Sequence, residues 1–550
     1  MAAAAKRIVI ADGISDCSIV IPSKAYDSEK HAAGELQIYF EKMSGARVAV
    51  VSEDKAPAGC AILVGNTKQG STIVTDEEAA SLGEEGFVLR ARGDKFVIRG
   101  GGQRGTLYGV YGLLENHLGI RWLAKDTTII PRRQTIDLTS VEDRQRPMME
   151  YREPYFFEAF DADWAAHNRV NGKSFHLEER HGHGTTYLGN YVHTFDQLVP
   201  PWKYFGDHPE YFSLVEGKRI SYGQPCLSNP DVLKIVKGEV LRLAAESNGR
   251  PAIISVSQND NFDACTCEKC LAMDNKEGSP AGTLLNFVNQ VADEVAEEYS
   301  NILIDTLAYN YTEKAPLTIK PRPNMVIRLC HMAPSCDIHS LKRCDHNANF
   351  VKNLKDWSRL TDRLYAWHYS TNFYHYPGML PNLNAMKEDI PFYYQHNVKG
   401  IFAQGSYESN GGDMAELKAW LIAKMLWDPG ADFEALLKDF IDGYYGPAAP
   451  AMTEYISLQR RHVLSGQQHA NLYSSPDAGY LDAELLEKLG ETLRRAGKLA
   501  AGNELASEHV RKAKLWHDYT RLAAPTLFTV DGKPATYGER LARYEHFLEE

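Results

Sequence analysis

The architecture turns on Ala252-Ile-Ile-Ser-Val-Ser-Gln-Asn-Asp260, an apolar run of strand length that opens into Gln258, Asn259 and Asp260. Such a run reads as a buried strand that delivers polar side chains to the edge of a sheet. The same form recurs at Met149–Phe156, Ile302–Leu307, Met325–Leu329, Leu364–Trp367 and Gly400–Ala403. Val232–Glu246, Thr283–Tyr299, Ala348–Leu360 and Leu383–Gln395 lie between them with helical spacing. Strand–helix alternation implies parallel strands. About eight such units over roughly 300 residues predict an α/β fold, a (β/α)8 TIM barrel over 148–445. Six strands are readable, and the stretch 168–224 is expected to supply the others.

On the N-terminal side, residues 1–140 predict a small α+β domain. Arg7–Ala11, Cys17–Ile21 and Ala61–Gly65 read as strands, Gly86–Arg90 and Lys95–Gly100 as a hairpin. Ala32, Leu36, Tyr39 and Phe40 line one face of a helix over 28–43, and Thr106–Leu118 reads as a second helix closed by Gly119. Val141–Pro147, mostly charged and polar, reads as a linker. Beyond Tyr444-Tyr-Gly-Pro447, three helical stretches predict a helical C-terminal domain, residues 446–550.

The chain has 550 residues, 44% of them apolar and 24% charged. That balance excludes a disordered chain, a collagen-like fibre and a small disulfide scaffold. No apolar run approaches the roughly 18 residues that span a bilayer, so no membrane is expected as a partner. The net charge of −12 and the absence of a basic stripe argue against nucleic acid. Twenty-nine tyrosines and 8 tryptophans suit carbohydrate faces, although cores use them too.

The opening Met1-Ala-Ala-Ala-Ala-Lys-Arg lacks a secretory h-region. The expectation is a cytoplasmic protein as written, or a secreted or periplasmic one whose leader was removed. Nine cysteines do not pair off. Cys265, Cys267 and Cys270 have the spacing of a structural zinc site, its fourth ligand left open among Cys226, Cys344 and a histidine; a disulfide from this cluster to Cys330 or Cys336, or free thiols, are the alternatives. No cofactor is expected for catalysis. His181 and His183 are a weak metal signal, and a substrate-binding loop with His193 as its best member is preferred. Gly100-Gly-Gly-Gln-Arg-Gly105 lacks the lysine and Ser/Thr of a phosphate loop, so nucleotide binding is rejected.

Phe96–Trp122, with its Arg99-Gly-Gly-Gly-Gln-Arg-Gly-Thr-Leu-Tyr108 core, resembles the end of the small domain that precedes the barrel in α-glucuronidases and β-N-acetylhexosaminidases. His208-Pro-Glu-Tyr-Phe212, Gln258-Asn-Asp-Asn261 with its following cysteines, and Leu426-Trp-Asp-Pro429 resemble a bacterial family known as a domain of unknown function and related to those glycosidases. The resemblance covers about residues 15–450. It implies a glycoside-hydrolase-type barrel and leaves the sugar open.

Barrels carry their chemistry where strands end. In hexosaminidase-type barrels an acidic pair follows the fourth strand, and in α-glucuronidases the general acid stands there. Here Asn259 and Asp260 occupy the place, so Asp260 is the candidate acid. Glu408, after the last strand, is the leading candidate for the second carboxylate, ahead of Glu153 and Asp413; a substrate acetamido group is the alternative nucleophile. Arg152 is the candidate fork for a sugar carboxylate or a pair of hydroxyls, with the holding of Glu153 or Asp260 in place as the alternative reading, and Arg328 is a comparable case. His193, Asn259, Tyr309, Asn310, Trp367, His368, Tyr369 and Asn372 are the candidate positioning residues. His368 departs from the aspartate frequent in the family, which leaves an acid/base role there in doubt.

The resulting expectation is an exo-acting glycoside hydrolase that removes a terminal uronic acid, N-acetylhexosamine or sialic acid. Its rivals are a carbohydrate-binding barrel without turnover and a metal-dependent hydrolase. Carbohydrate is the expected partner, and a homo-oligomer is compatible with the chain.

Overall fold

The computed structural model describes residues 8–332, 334–527, 529–530 and 533–549. Met1–Arg7, including the start of the expected first strand, lies outside them; the strand itself runs over Ile8–Ile10. The chain divides into two compact units, and neither is one continuous run. The first comprises 1–184, 407–456 and 488–515, the second 185–406, 457–487 and 516–550.

In the first unit, six strands form a mixed sheet: β1 (Ser18–Ile21), β2 (Ala49–Ser52), β3 (Ala61–Val64), β4 (Phe87–Arg92), β5 (Lys95–Gly100) and β6 (Glu142–Gln145). Their order is β6-β4-β5-β3-β1-β2. β1, β2, β3 and β5 pair in parallel, while β4 and β6 are antiparallel to their neighbours. Residues 142–145 are therefore an edge strand and not the expected linker. Their charged side chains fit that place, because an edge strand keeps one side in water. The helix Asp27–Ser44 buries Ala32, Ala33, Leu36, Tyr39, Phe40 and Met43, the face read from its spacing, and ends at Gly45 with φ of 82°. Left-handed backbone there favours glycine. Cys17 and Cys60 form a disulfide. The glycine run after β5 is a tight turn into the helix Gln103–Gly112: a Cβ on Gly100 would stand 2.1 Å from the Thr106 nitrogen. Tyr151–Tyr155, expected as the first strand of the barrel, is a strand as expected, and its residues fall within this unit.

The second unit holds β7 (Tyr187–Leu188), β8 (Ala252–Ser255), β9 (Ile302–Ala308), β10 (Met325–Cys330), β11 (Leu364–Tyr369) and β12 (Val398–Gln404). They are parallel throughout, in the order β12-β11-β10-β9-β8-β7. The helices Pro230–Ala245, Ala281–Glu298, Ala348–Trp357 and Leu383–Gln395 stand within about two or three residues of their expected bounds. This is a parallel, half-barrel sheet. A full (β/α)8 closure is not seen among the described residues, because the stretch 168–224 supplies only the two-residue β7 to it. The rest of that stretch is short helical turns and a two-residue hairpin, Leu214–Val215 with Lys218–Arg219, with left-handed backbone at Arg169, His176, His183, His193 and Glu216. Such residues break strands instead of extending them.

The C-terminal region is helical, as expected, with helices at Ala449–Ser465, Ala483–Ala500, Glu504–Ala523 and Tyr537–Glu549. No helix among the described residues is long and apolar enough to cross a membrane.

Candidate active site

β8, β9, β10 and β11 end at Ser255, Ala308, Cys330 and Tyr369 and all run one way, so the residues beyond them gather along one edge of the sheet. That edge is where open parallel sheets bind ligands. Asp260 is exposed there, and the Tyr309 hydroxyl donates to its Oδ1 at 2.9 Å. Gln258 is enclosed beneath them. Its amide nitrogen donates to the Tyr309 carbonyl at 2.8 Å, and its Oε1 accepts from Thr312 at 2.6 Å, which fixes the turn carrying Tyr309 and Asn310.

His193, in left-handed backbone with φ of 54°, places Nδ1 at 2.8 Å from the Gln258 carbonyl. A carbonyl only accepts, so Nδ1 donates the proton in this contact. Below the carboxylate lies an apolar bed of Leu307, Tyr309 and Cys330, against which Val192, Met332 and Trp367 pack. Trp367 is half-buried; its indole N–H donates to Gln404 at 2.8 Å, and its ring centre lies 4.4 Å from that of Phe402. Tyr369 and Tyr473 border the same carboxylate closely enough for its charge to act on their hydroxyls. Burial first, then Asp260, pushes the Tyr309 hydroxyl far above the usual phenol range, so it stays a donor. Tyr473 was not found from sequence: it comes from a loop far along the chain, and nothing local marks it.

Four expected sugar contacts have other duties. Arg152 is enclosed, with both terminal nitrogens on Glu85 at 2.8 and 2.9 Å and Nε on the Arg169 carbonyl at 2.8 Å. Burial works against the charge on Glu85, but Arg152 and Arg104 outweigh it and hold that carboxyl below its ordinary value. Asn259 spends its side chain on Asp196 and the Gly223 carbonyl, as a loop brace. Asn372 donates to the Ser474 carbonyl at 2.6 Å and accepts from the Tyr374 N–H. His368, pushed down to about 3 by burial and then by His331, stays neutral beside the Tyr393 hydroxyl. Arg328 is likewise ion-paired to buried Asp305 at 2.9 Å. The support that these arginines gave to an acidic sugar falls away.

In the first unit, Glu408 is exposed and bonds with the neighbouring Tyr407 hydroxyl, whose ring centre lies 4.9 Å from that of Tyr155. The rival carboxylates are sealed: Glu153 accepts from Tyr151 and from the Ser174 N–H, and Asp413 is ion-paired with Lys418 at 2.9 Å. Glu158 is a further acid that ranking by strand ends passed over, because it stands in the turn beyond Tyr151–Tyr155. Burial, and then Glu416, raises its carboxyl to about 7. His181 is enclosed and lies 2.9 Å from Asp163. A cavity of about 530 Å³ in this unit, lined by Arg121, Arg169, Trp420, Lys424 and Trp427 among others, includes none of the expected site residues.

Cys265, Cys267 and Cys270 are joined by Cys226, with the four sulfurs all within 4.8 Å of one another. Cys330 and Cys336 stand apart as free thiols, so the alternative disulfides to them are not formed.

Residues 122–457, more than half of the chain, match the family described as Domain of unknown function (DUF4838), and the chain belongs to that family. Residues 14–113 match the Glycosyl hydrolase family 67 N-terminus. No curated protein matches by sequence. Among solved structures, the family GH115 4-O-methyl-α-glucuronidase BtGH115A, with specificity for decorated arabinogalactans, is similar with a TM-score of 0.62 at 13% identity, over 98% of this chain and 76% of that one. CpGH84D is similar with a TM-score of 0.48 at 10% identity, over 98% and 90%. At 13% identity the likeness to BtGH115A shows the fold.

Proposed function

We propose that this protein is an exo-acting glycoside hydrolase whose general acid is Asp260. The observation that carries the reading is an exposed carboxyl group at the C-terminal edge of a parallel sheet, held by Tyr309 above an aromatic and apolar bed. The family 67 N-terminal domain and the fold shared with a glucuronidase support the same class. Asp260 protonates the departing glycosidic oxygen while positive charge builds on the sugar as an oxocarbenium-like transition state. Tyr309 fixes which oxygen of Asp260 faces the substrate, His193 and Asn310 bind hydroxyls, and Trp367 and Tyr369 offer the sugar an apolar face.

Glu408 is proposed separately as the second carboxylate. An N-acetylated sugar needs no nucleophile from the protein, since its own acetamido oxygen attacks the anomeric carbon. With Arg152 and Arg328 both ion-paired inside the fold, a terminal N-acetylhexosamine is the leading substrate, ahead of uronic and sialic acids. A panel of aryl glycosides tests this: release of aglycone from an N-acetylhexosaminide by the intact chain, lost in Asp260→Asn, is expected. Binding of sugars without turnover of any of them would favour a carbohydrate-binding barrel. The brace role of Asn259, where hexosaminidases keep a second acid, is the observation on that side.

A further inference from the structure

We infer that Cys226, Cys265, Cys267 and Cys270 bind one zinc ion in a closed tetrahedral site that braces the loop bearing Asp260. The sulfurs come from two segments separated in sequence and converge within 4.8 Å. Cys226 and Cys267 lie 3.7 Å apart, too far for a disulfide. A zinc–sulfur tetrahedron with arms of about 2.3 Å has edges of about 3.8 Å, so the observed spacing is that of thiolates around an ion. Three of the four residues are buried, the fourth is half-buried, and all four are free of disulfides. Four thiols facing one another, three of them buried and each a poor hydrogen-bond partner, gain little without an ion between them.

The surroundings are those of thiolate ligands. Cys265 accepts from the Leu214 N–H at 3.4 Å and from the Arg219 guanidinium at 3.6 Å. The backbone N–H groups of Cys267 and Cys270 bond to the sulfurs of Cys265 and Cys267. Leu214–Val215 and Lys218–Arg219 form the hairpin that supplies Leu214 and Arg219, and Cys267 begins the helix Glu268–Glu277. Zn²⁺ with four thiolates leaves a net charge of −2, which Arg219 and these N–H donors offset. On binding, the four thiols release their protons to solvent.

The site reaches Asp260 through Gln224, two residues before Cys226 in sequence. Gln224 accepts from the Asn259 N–H at 2.9 Å and donates to the Asn259 carbonyl at 2.9 Å and to Asn261 at 2.8 Å. The residues on both sides of Asp260 are thus pinned to the segment that Cys226 anchors. The importance of this pinning for catalysis rests on the proposed role of Asp260; the presence of the metal does not.

The test is metal analysis of the full chain purified without chelators. One equivalent of zinc per chain is expected, released in proportion when an organomercurial titrates the thiols. In wild-type protein freed of zinc and loaded with cobalt(II), intense d–d and thiolate-to-cobalt absorption is expected, which needs no variant to fold. Cys226→Ser should reduce bound zinc to near none, and Cys344→Ser, in the separate group formed by Cys336, Cys344 and His469, should leave it unchanged. Absence of metal with no cobalt uptake, a disulfide among the four in peptide maps, or zinc that follows Cys344 would overturn the inference. Zinc bound to a chain that cleaves no glycoside would overturn the reading of Asp260 and leave the metal site standing.

Discussion

The Tyr309 hydroxyl donates to Asp260 Oδ1 at 2.9 Å across two neighbouring strand ends, β8 and β9. The contact joins a residue of the Asn310–Thr312 turn to one of the loop after Ser255, and Gln258 locks both. Tyr309→Phe keeps the ring in its apolar bed and removes the hydroxyl, with its bonds to Asp260 and to the Asn310 side chain. A hydrogen bond to a charged group contributes roughly 1.5–3 kcal/mol. The expected result is a fall in kcat of about ten- to a hundredfold, with KM changed little and the melting temperature nearly unchanged.

Trp367→Ala removes the half-buried indole at the end of β11 and frees Gln404. Its action is on substrate binding, so KM for an aryl glycoside should rise about tenfold, roughly 1.4 kcal/mol, with kcat changed less. An unchanged KM would place Trp367 under the loops and outside the sugar's reach.

Arg152 predicts a loss of stability and not of affinity. Breaking a buried pair leaves the Glu85 charge without its main partner, which costs about 3–5 kcal/mol. Arg152→Leu should lower the urea midpoint sharply, while the fraction that stays folded keeps the wild-type KM. A raised KM in a protein of normal stability would return Arg152 to the sugar.

Glu158 predicts a pH dependence of stability. Its carboxyl lies at about 7 in the folded chain against an ordinary 4.5, because of burial and then Glu416, with Lys512 and the Gly411 N–H acting in the opposite direction. The folded state holds a proton that the unfolded state has released. The contribution is therefore full below about pH 4.5 and is lost as pH rises through about 7, on the order of 3 kcal/mol in all. Urea titrations at pH 5 and pH 8 should show this decline in the wild type and a smaller one in Glu158→Gln.

Much of this was legible in the chain. Ile302–Leu307 and Met325–Leu329 are runs dense in branched apolar residues, which only a buried strand accommodates, and they recur as β9 and β10. The helix Leu383–Gln395 was read to the residue despite Pro391 inside it. The stretch 168–224 was illegible because its order comes from turns and long-range bonds, as where Asn171 contacts Glu85 at 3.0 Å. Partners of that kind leave no local pattern. Arg152 looked like a sugar ligand for the same reason: Glu85 lies far off in sequence, in the turn before β4. Three cysteines announced themselves by spacing, whereas the fourth thiol of the group became visible only where folding brings Cys226 to them.

Glu408 is to be tested apart from Asp260. If it is the second carboxylate, Glu408→Gln should lower kcat by about a hundredfold or more on every substrate, and added azide should restore part of it. An N-acetylhexosaminide cleaved at the wild-type rate by this variant would assign the nucleophile to the substrate's acetamido oxygen instead.

The most direct measurement compares wild type and Asp260→Asn on two aryl glycosides of the same sugar, one with an activated phenol and one with a poor leaving group. A general acid matters in proportion to the leaving group's need for a proton. The account predicts a loss of about a thousandfold or more for the poor leaving group and a much smaller loss for the activated one. Equal losses on both, or full activity in Asp260→Asn, would contradict it.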